Sequence, residues 1–338
     1  MSTSDQTYDA VHRLARAMPG RKLPGERELA EQFGTSRQQV RRVLARLATE
    51  GVVERRQGSG TFAALHDALA MRRIGLWVDR RLRLRDDPFF TLMIERLLHA
   101  CHDDNIRCTV ERVDETNPPR AWEDGILTLG LVGAALLSRL GPGDPPAVGL
   151  FVDFPLAPNR HVSLLQMDDI GAGHIAAEWL IAQGCDPLFF VGRIGLPVAD
   201  ARLSGARDSS AARSVPLHVI DSRMNYPAGL TVGADLQLPE TGQLGIFCAN
   251  DWLALGVHAG LSGRGPEVRD RVLLVGVDGL PVVADPRVGV RSLRPPLEAM
   301  AVDALTELRR LGSFPPVGGR VIRYPVTWAD EPIDPRTG

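Results

Sequence analysis

The chain has 338 residues, 44% hydrophobic and 24% charged, enough for two or three domains with sizeable cores and ordinary for a soluble globular protein. Net charge is −2, but of the 39 Lys and Arg and the 41 Asp and Glu, residues 1–64 hold eleven and seven, leaving 28 and 34. A basic head on an acidic body fits a nucleic-acid reader joined to a part that avoids nucleic acid. Cys101, Cys108, Cys185 and Cys248 show no C-x-x-C spacing and no zinc-type pairing with nearby histidines, so neither a zinc site nor a disulfide framework is indicated. The longest uncharged apolar run, 126–138, is shorter than the ~20 residues a bilayer needs, and no charged-then-apolar leader opens the chain. The expectation is a cytoplasmic protein.

In chain order, residues 8–18 place Val11, Leu14, Ala15 and Met18 on one face, predicting a helix packed on the rest of the head. Residues 26–32 predict a short helix, then a turn containing Gly34. From 36 to 50, Val40, Val43, Leu44 and Leu47 fall at i, i+3, i+4 and i+7 and bury one helix face. The opposite face carries Gln38, Arg41, Arg42 and Ala45, with Arg37 at its N-terminal edge. Arg and Gln read base edges in a major groove, and Arg also neutralises phosphate. Residues 52–56 and 61–64 read as short strands joined by Gln57-Gly58-Ser59-Gly60, whose glycines let a hairpin tip approach a nucleic-acid backbone. Residues 64–72 (ALHDALAMR), without Gly or Pro, predict a helical or short stiff linker.

From 73 onward apolar strands alternate with helices. Strands are expected at 74–78, 107–112, 125–129, 147–152, 162–167, 188–191, 217–220, 244–248, 272–277 and 288–292, with a closing strand at 320–328. Helices are expected at 90–103, 132–140, 173–183, 202–213, 253–262 and 295–311. Continuously apolar strands in this order demand parallel sheets covered on both faces, and about ten of them over about 260 residues suit two doubly wound lobes.

Open α/β sheets bind ligands beyond the carboxyl ends of their strands. Asn250 follows the strand at 244–248, as a helix cap or as a ligand group. Asp278 and Asp153 follow two others, as ligand groups or loop-capping carboxylates. Asp168 and Asp169 read as caps of the next helix rather than ligand contacts. Gly171, Gly173 and Ala176 satisfy the dinucleotide fingerprint G-x-G-x-x-A, but mid-domain and with no catalytic acid or base nearby. Lys22 is the only lysine and belongs to the head, which excludes Schiff-base chemistry in the body. With no H-E-x-x-H, G-x-S-x-G or P-loop, no enzyme, metal or cofactor is expected.

PGERELA, SRQQVRRVL and LATEGVVERRQGSGTF, between residues 24 and 62, resemble the winged helix-turn-helix of GntR-type bacterial transcription regulators. The resemblance implies that Arg27, Ser36, Arg37, Gln38 and Arg41 meet DNA from the helices, and Gln57, Gly58 and Gly60 from the wing. Gly25 stands where the family has a capping Ser, a loss of a few tenths of a kcal/mol at most, and the segment leading to Leu23 is shorter than usual.

MDDIGAGHIAAEWLIAQG at 167–184 and ADARLSGARD at 199–208, with the strand ends above, resemble the effector domain of LacI/GalR-type regulators, itself similar to periplasmic sugar-binding proteins of type I. The resemblance implies two doubly wound lobes crossed by three strands, the first about 73–160 and 291–320, the second about 161–290 and 321–330. A ligand between them would meet Phe89, Phe90, Asp153, Arg202, Asn250 and Asp278, with Tyr226 or Met224 as a further stacking position. Such a set suits a polyol: carboxylates accept from paired hydroxyls, a guanidinium donates to two oxygens, and an aromatic face packs on a sugar ring. Phe89 and Phe90 read equally well as core, and Arg202 as a surface residue.

The fold class expected is α/β, a winged helix-turn-helix (1–64) and a linker (65–72) ahead of a two-lobed parallel-sheet ligand-binding domain (73–330). This layout resembles arabinose-repressor-like regulators. It implies a homodimer that binds double-stranded operator DNA, is expected to repress, and senses a sugar or similar metabolite. A non-sugar, purine-like effector, or a vestigial sensor kept as a dimerisation scaffold, are the alternatives.

Overall fold

A computed structural model describes residues 3–49, 51–56, 58–64, 71–114, 124–130, 132–140, 144–152, 161–313 and 318–331. These fall into two compact units, one from Met1–Arg80, His99–Leu164 and Asp303–Val321, the other from Arg81–Leu98, Leu165–Val302 and Ile322–Gly338.

The first unit opens with a helical head: α1 (Thr3–Ala17), α2 (Glu26–Gln32), α3 (Arg37–Thr49) and the hairpin β1 (Val53–Arg56) and β2 (Gly60–Ala63). The periodicity of α3 does what it predicts, since Val40, Val43, Leu44 and Leu47 are buried with Tyr8, Val11, Leu29 and Val53 in one core. α1 starts earlier than expected because Thr7 and Tyr8 extend its buried face by a turn. Gly25 offers no side-chain cap to α2, but Glu28 Oε2 accepts its N–H at 2.7 Å, half of a capping box. The hairpin is antiparallel, Val53 facing Ala63 and Arg56 facing Gly60. Gly58 and Gly60 take φ of +75° and +113°, the left-handed region open to glycine. Residues 65–70 of the expected linker lie outside the described residues.

The remainder of the chain builds two six-stranded sheets. The first runs in the order β13 (Val321–Tyr324), β7 (Val162–Met167), β6 (Ala147–Leu150), β5 (Gly125–Leu129), β3 (Arg73–Asp79), β4 (Arg107–Val113). The second runs β14 (Thr327–Trp328), β12 (Val290–Arg294), β11 (Val272–Val277), β10 (Leu244–Cys248), β8 (Leu188–Gly192), β9 (Leu217–Asp221). Strands β3 to β6 pair in parallel, as do β8 to β12. β5, β8 and β10 are buried along their whole length, as helices on both faces require. The helices are α4 (Pro88–Asp103), α5 (Val132–Leu137), α6 (Asp169–Ala182), α7 (Pro197–Ala212), α8 (Tyr226–Asp235), α9 (Asp251–Ser262), α10 (Pro266–Arg269) and α11 (Leu297–Leu311). Among the described residues no helix is long and apolar enough to cross a membrane.

Three expectations need correction. The lobe boundaries near 160 and 290 each fall one strand later, because β7 joins the first sheet and β12 pairs with β11 in the second, Leu274 against Val290. A strand buried on both faces does not reveal locally which neighbours it joins. The strand expected at 288–292 begins only at Val290, after 3-10 turns at Pro281–Ala284 and Pro286–Val288. The closing strand is two, one in each sheet, divided at Pro325, which has no N–H to give a ladder.

Helix α8 was not foreseen. Its Pro227, Gly229 and Gly233 argue against a helix by propensity, yet Asn225 caps it, accepting from the Ala228 N–H at 3.0 Å. A Cβ at Gly229 or Gly256 would run into backbone of the facing helix, so α8 and α9 meet main chain to main chain. Gly173 and Gly205 do the same for α6 and α7.

Candidate nucleic-acid interface and ligand site

On the head, Ser36 Oγ accepts from the Gln39 N–H at 3.2 Å and starts α3, and the exposed face of that helix carries Arg37, Gln38, Arg41 and Arg42. Glu26, on α2, anchors this surface. Arg41 Nη2 reaches its Oε2 at 2.9 Å and Arg55 Nη2 its Oε1 at 3.8 Å. The hydrogen bond from Arg41, with the positive charge of Arg41, Arg55 and Arg37, holds the Glu26 carboxyl below its usual range. Arg55 Nη2 also donates to the Arg41 carbonyl at 3.3 Å, tying hairpin to helix. Arg27 is exposed and pairs with Glu31 at 3.1 Å.

At the hairpin, Gly58 faces open space, and a Cβ on Gly60 would meet the Lys22 stem at 2.7 Å. Arg56 lies over the Phe62 ring at 4.5 Å. Gln57 lies outside the described residues. Lys22, Arg55 and Arg56 thus join the basic surface although sequence reasoning left them out. The adjacent Arg55 and Arg56 at the end of β1, just before the glycine tip, were the signal available; Lys22, outside the hairpin and bridged to Phe62, gave none.

The second unit holds a buried polar cluster, built by the close approach of α6 and α7. A Cβ at Gly173 would strike the Arg202 carbonyl, and one at Gly205 the Ile170 carbonyl. That contact leaves Arg202 only 4% exposed. Its Nε donates to Asp169 Oδ1 at 2.9 Å and its Nη1 to the Ala249 carbonyl. The fingerprint glycine Gly173 therefore serves helix packing, and the Gly171 N–H goes to Asp168 Oδ1 at 2.9 Å. Asp168 caps α6 as expected. Asp169 does not merely cap: it is Arg202's carboxylate partner, because its side chain turns toward α7.

Next to Ala249, Asn250 Oδ1 accepts from the Leu253 N–H at 3.0 Å, and Nδ2 donates to the Met224 carbonyl at 3.5 Å. Asn250 is thus a helix cap beside the cluster. Asp251 is fully buried and accepts from Ser292 Oγ at 2.7 Å and from the Leu280 N–H at 2.8 Å. Burial pushes its carboxyl up to about 6, against the pull of those two donors and Arg202. Asp278, also buried, stands at φ +137°, held by its N–H to the Leu293 carbonyl at 2.8 Å. Its carboxylate accepts from the Asp251 N–H; burial, then repulsion from Asp251, lifts it well above its ordinary range, with Arg202 opposing and Asp87 adding to the rise.

Asp87 accepts from the N–H groups of Phe90 and Phe89 at the start of α4, and its own carboxyl is pushed up by burial. Phe89 is buried and Phe90 half-buried, edge to face at 5.5 Å. The Tyr226 ring packs on Trp252 at 5.4 Å. Arg202, Asn250 and Asp278 are brought together, with Phe89 and Phe90 tied to them through Asp87. Asp153 lies outside the described residues. Asp87, Asp169, Asp251 and Ser292 were missed. Chemically the cluster is one guanidinium among buried carboxylates that resist ionising, and hydroxyl donors would satisfy it.

Comparison with known proteins gives two family matches: "Bacterial regulatory proteins, gntR family" over residues 4–63 and "Periplasmic binding protein-like domain" over residues 177–328. The putative L-lactate dehydrogenase operon regulatory protein of Escherichia coli is 47% identical over 101 residues, which are 29% of this chain and 38% of that protein. The match therefore spans well under half of that relative. Among solved structures, a putative LacI-family transcriptional regulator from Sanguibacter keddieii aligns with TM-score 0.63 and 22% identity, covering 76% of this chain and 96% of that one. A LacI-family regulator from Enterococcus faecium with bound ribose aligns over the same shares with TM-score 0.61 and 18% identity. The chain joins a GntR-type helix-turn-helix domain at its N-terminal end to a periplasmic-binding-protein-like domain with the fold of LacI-family regulators.

Proposed function

We propose that this chain is a ligand-responsive transcription regulator that performs no bond-making chemistry. The head binds operator DNA through α3, with Arg37, Gln38 and Arg41 in the major groove and the Gly58–Gly60 tip on the backbone, Gln57 and Ser36 adding contacts and Arg27 a phosphate. The body senses a sugar or similar polyol at Arg202 and Asp278, beside Asn250, Phe89 and Phe90, with Asp153 as a further acceptor. The observation that carries the reading is the Arg202 guanidinium, 4% exposed, set among Asp169, Asp251 and Asp278. Two buried carboxyls sharing one cation are costly, and hydroxyl groups of a ligand would offset that cost by hydrogen bonding to them. The ribose held by the Enterococcus faecium protein supports a sugar.

Two copies would place two heads on the half-sites of a palindromic operator, and ligand would change head spacing through its differential affinity for two states. Release of the operator, hence repression relieved by ligand, is the sign proposed. Thermal shift and calorimetry of the intact protein against pentoses, hexoses and nucleobases test it. Stabilisation by a sugar, lost in Asp278→Ala, is expected. Stabilisation by nucleobases alone redirects the reading to a purine-like effector, and no stabilisation leaves a dimerisation scaffold.

A further inference from the structure

The cysteines of the chain stand in two different settings. Cys185 and Cys248 are buried, and burial raises both thiols, Cys185 to about 11. Cys101 and Cys108 face each other. Cys101, 1% exposed, lies in the last turn of α4, and Cys108, half-buried, is the second residue of β4. Only residues 104–106 separate that helix from that strand. The main chain fixes the reversal: the Ile106 N–H donates to the Cys101 carbonyl at 2.7 Å, the Asn105 N–H to the His102 carbonyl at 3.0 Å, and Asn105 takes φ of +55°. Cys108 is held opposite Ile74 in the ladder with β3, and β4 is an edge of its sheet.

The turn brings the two sulfurs together, and the Cys101 S–H donates to Cys108. That bond, then burial, raises the Cys101 thiol above its ordinary range, with Asp104 adding to the rise and Arg309 opposing it. Cys101 therefore keeps its proton, and Cys108, on the open edge, is the sulfur that a dissolved oxidant meets. Sulfurs already in contact can be joined by side-chain rotation, and an accessible cysteine with a second thiol beside it is the arrangement that reversible oxidation needs. Their spacing in the sequence carries no redox motif; the turn supplies the pairing.

We propose that Cys101 and Cys108 form a redox site, oxidised by hydroperoxides to an intrachain disulfide that staples the last turn of α4 to β4. The Cys108 thiolate attacks one oxygen of the peroxide. An S–O bond forms, the O–O bond breaks, and the departing oxygen leaves as water or an alcohol after taking a proton. The Cys101 sulfur then attacks the Cys108 sulfur, the S–O bond breaks, and the Cys101 proton leaves with the hydroxide as water. The two thiols lose two electrons in all, and the peroxide gains them.

The test treats the intact protein with hydrogen peroxide, blocks the remaining thiols with N-ethylmaleimide and digests with trypsin, which cuts after Arg96, Arg107 and Arg112. The expected product joins 97–107 to 108–112, forms at least about tenfold faster than Cys185 or Cys248 is lost, and is split by dithiothreitol. Cys101→Ser should give no link and leave Cys108 as a sulfenic acid that dimedone labels. The peptide map of the native protein decides the matter even where that variant does not fold. A link that forms only in urea, loss of all the cysteines at equal rates, or peroxide that leaves Cys101 and Cys108 unlinked each overturn the proposal.

Discussion

Replacing Asp278 by Asn should stabilise the protein at neutral and alkaline pH while weakening effector binding. Asp251 and Asp278 share one buried site, and the carboxyls of both are raised by burial, Asp251 to about 6 from 3.8. A folded-state pKa above the unfolded one favours the neutral form, so this contribution to stability is complete below the unfolded pKa and is lost as pH rises through the folded pKa. For Asp251 that loss is on the order of 3 kcal/mol above its folded pKa. The amide in Asp278→Asn cannot ionise, and its oxygen can still accept the Asp251 N–H. With the lost attraction to Arg202 subtracted, the variant should be about 1–3 kcal/mol more stable than the parent near pH 8, the two converging below about pH 4. Urea unfolding at several pH values reads the difference, and calorimetry with the stabilising sugar should show affinity down by about tenfold or more. A variant less stable than the parent at high pH, with the same pH slope, would refute the shared-site reasoning.

The same contacts lead to further outcomes. Arg202→Met leaves the buried Asp251 and Asp278, and the half-buried Asp169, without their cation and should cost about 3–5 kcal/mol in urea unfolding; a cost under about 1 kcal/mol would remove Arg202 from the centre of the cluster. Gly205→Ala forces α7 away from the Ile170 carbonyl and should lower stability by about 1–3 kcal/mol, seen as a lower Tm. Arg41→Ala should weaken operator binding by fluorescence anisotropy and reduce the salt slope by about 1, with the effector-induced Tm shift intact.

The head was legible because its information is local. The i, i+3, i+4, i+7 spacing of α3 and the glycines of the hairpin describe the burial and the φ values found there. Strand positions in the sheets were legible for the same reason. Helix α8 was not, since tertiary contact overrides its propensity: Gly229 and Gly233 favour it only because α9 presents Gly256 and Gly260 opposite.

At the candidate site, Arg202, Asn250 and Asp278 could be singled out from strand ends and resemblance. Asp251 could not, because its burial depends on Ser292, 41 residues further along the chain. Asp169 looked like a cap because it stands beside one. Its role depends on α7 packing closely enough to bring Arg202 within 2.9 Å.

The most direct test is the affinity of the intact protein for DNA from upstream of its own gene, by fluorescence anisotropy with and without the sugar that most raises its Tm. The expected result is saturable, salt-sensitive binding that weakens when the sugar is added in native protein, with Asp278→Ala still binding DNA but no longer responding. A sugar that binds yet leaves DNA affinity unchanged, or DNA binding that survives Arg41→Ala at full strength, would contradict a basic head governed by the cluster around Arg202.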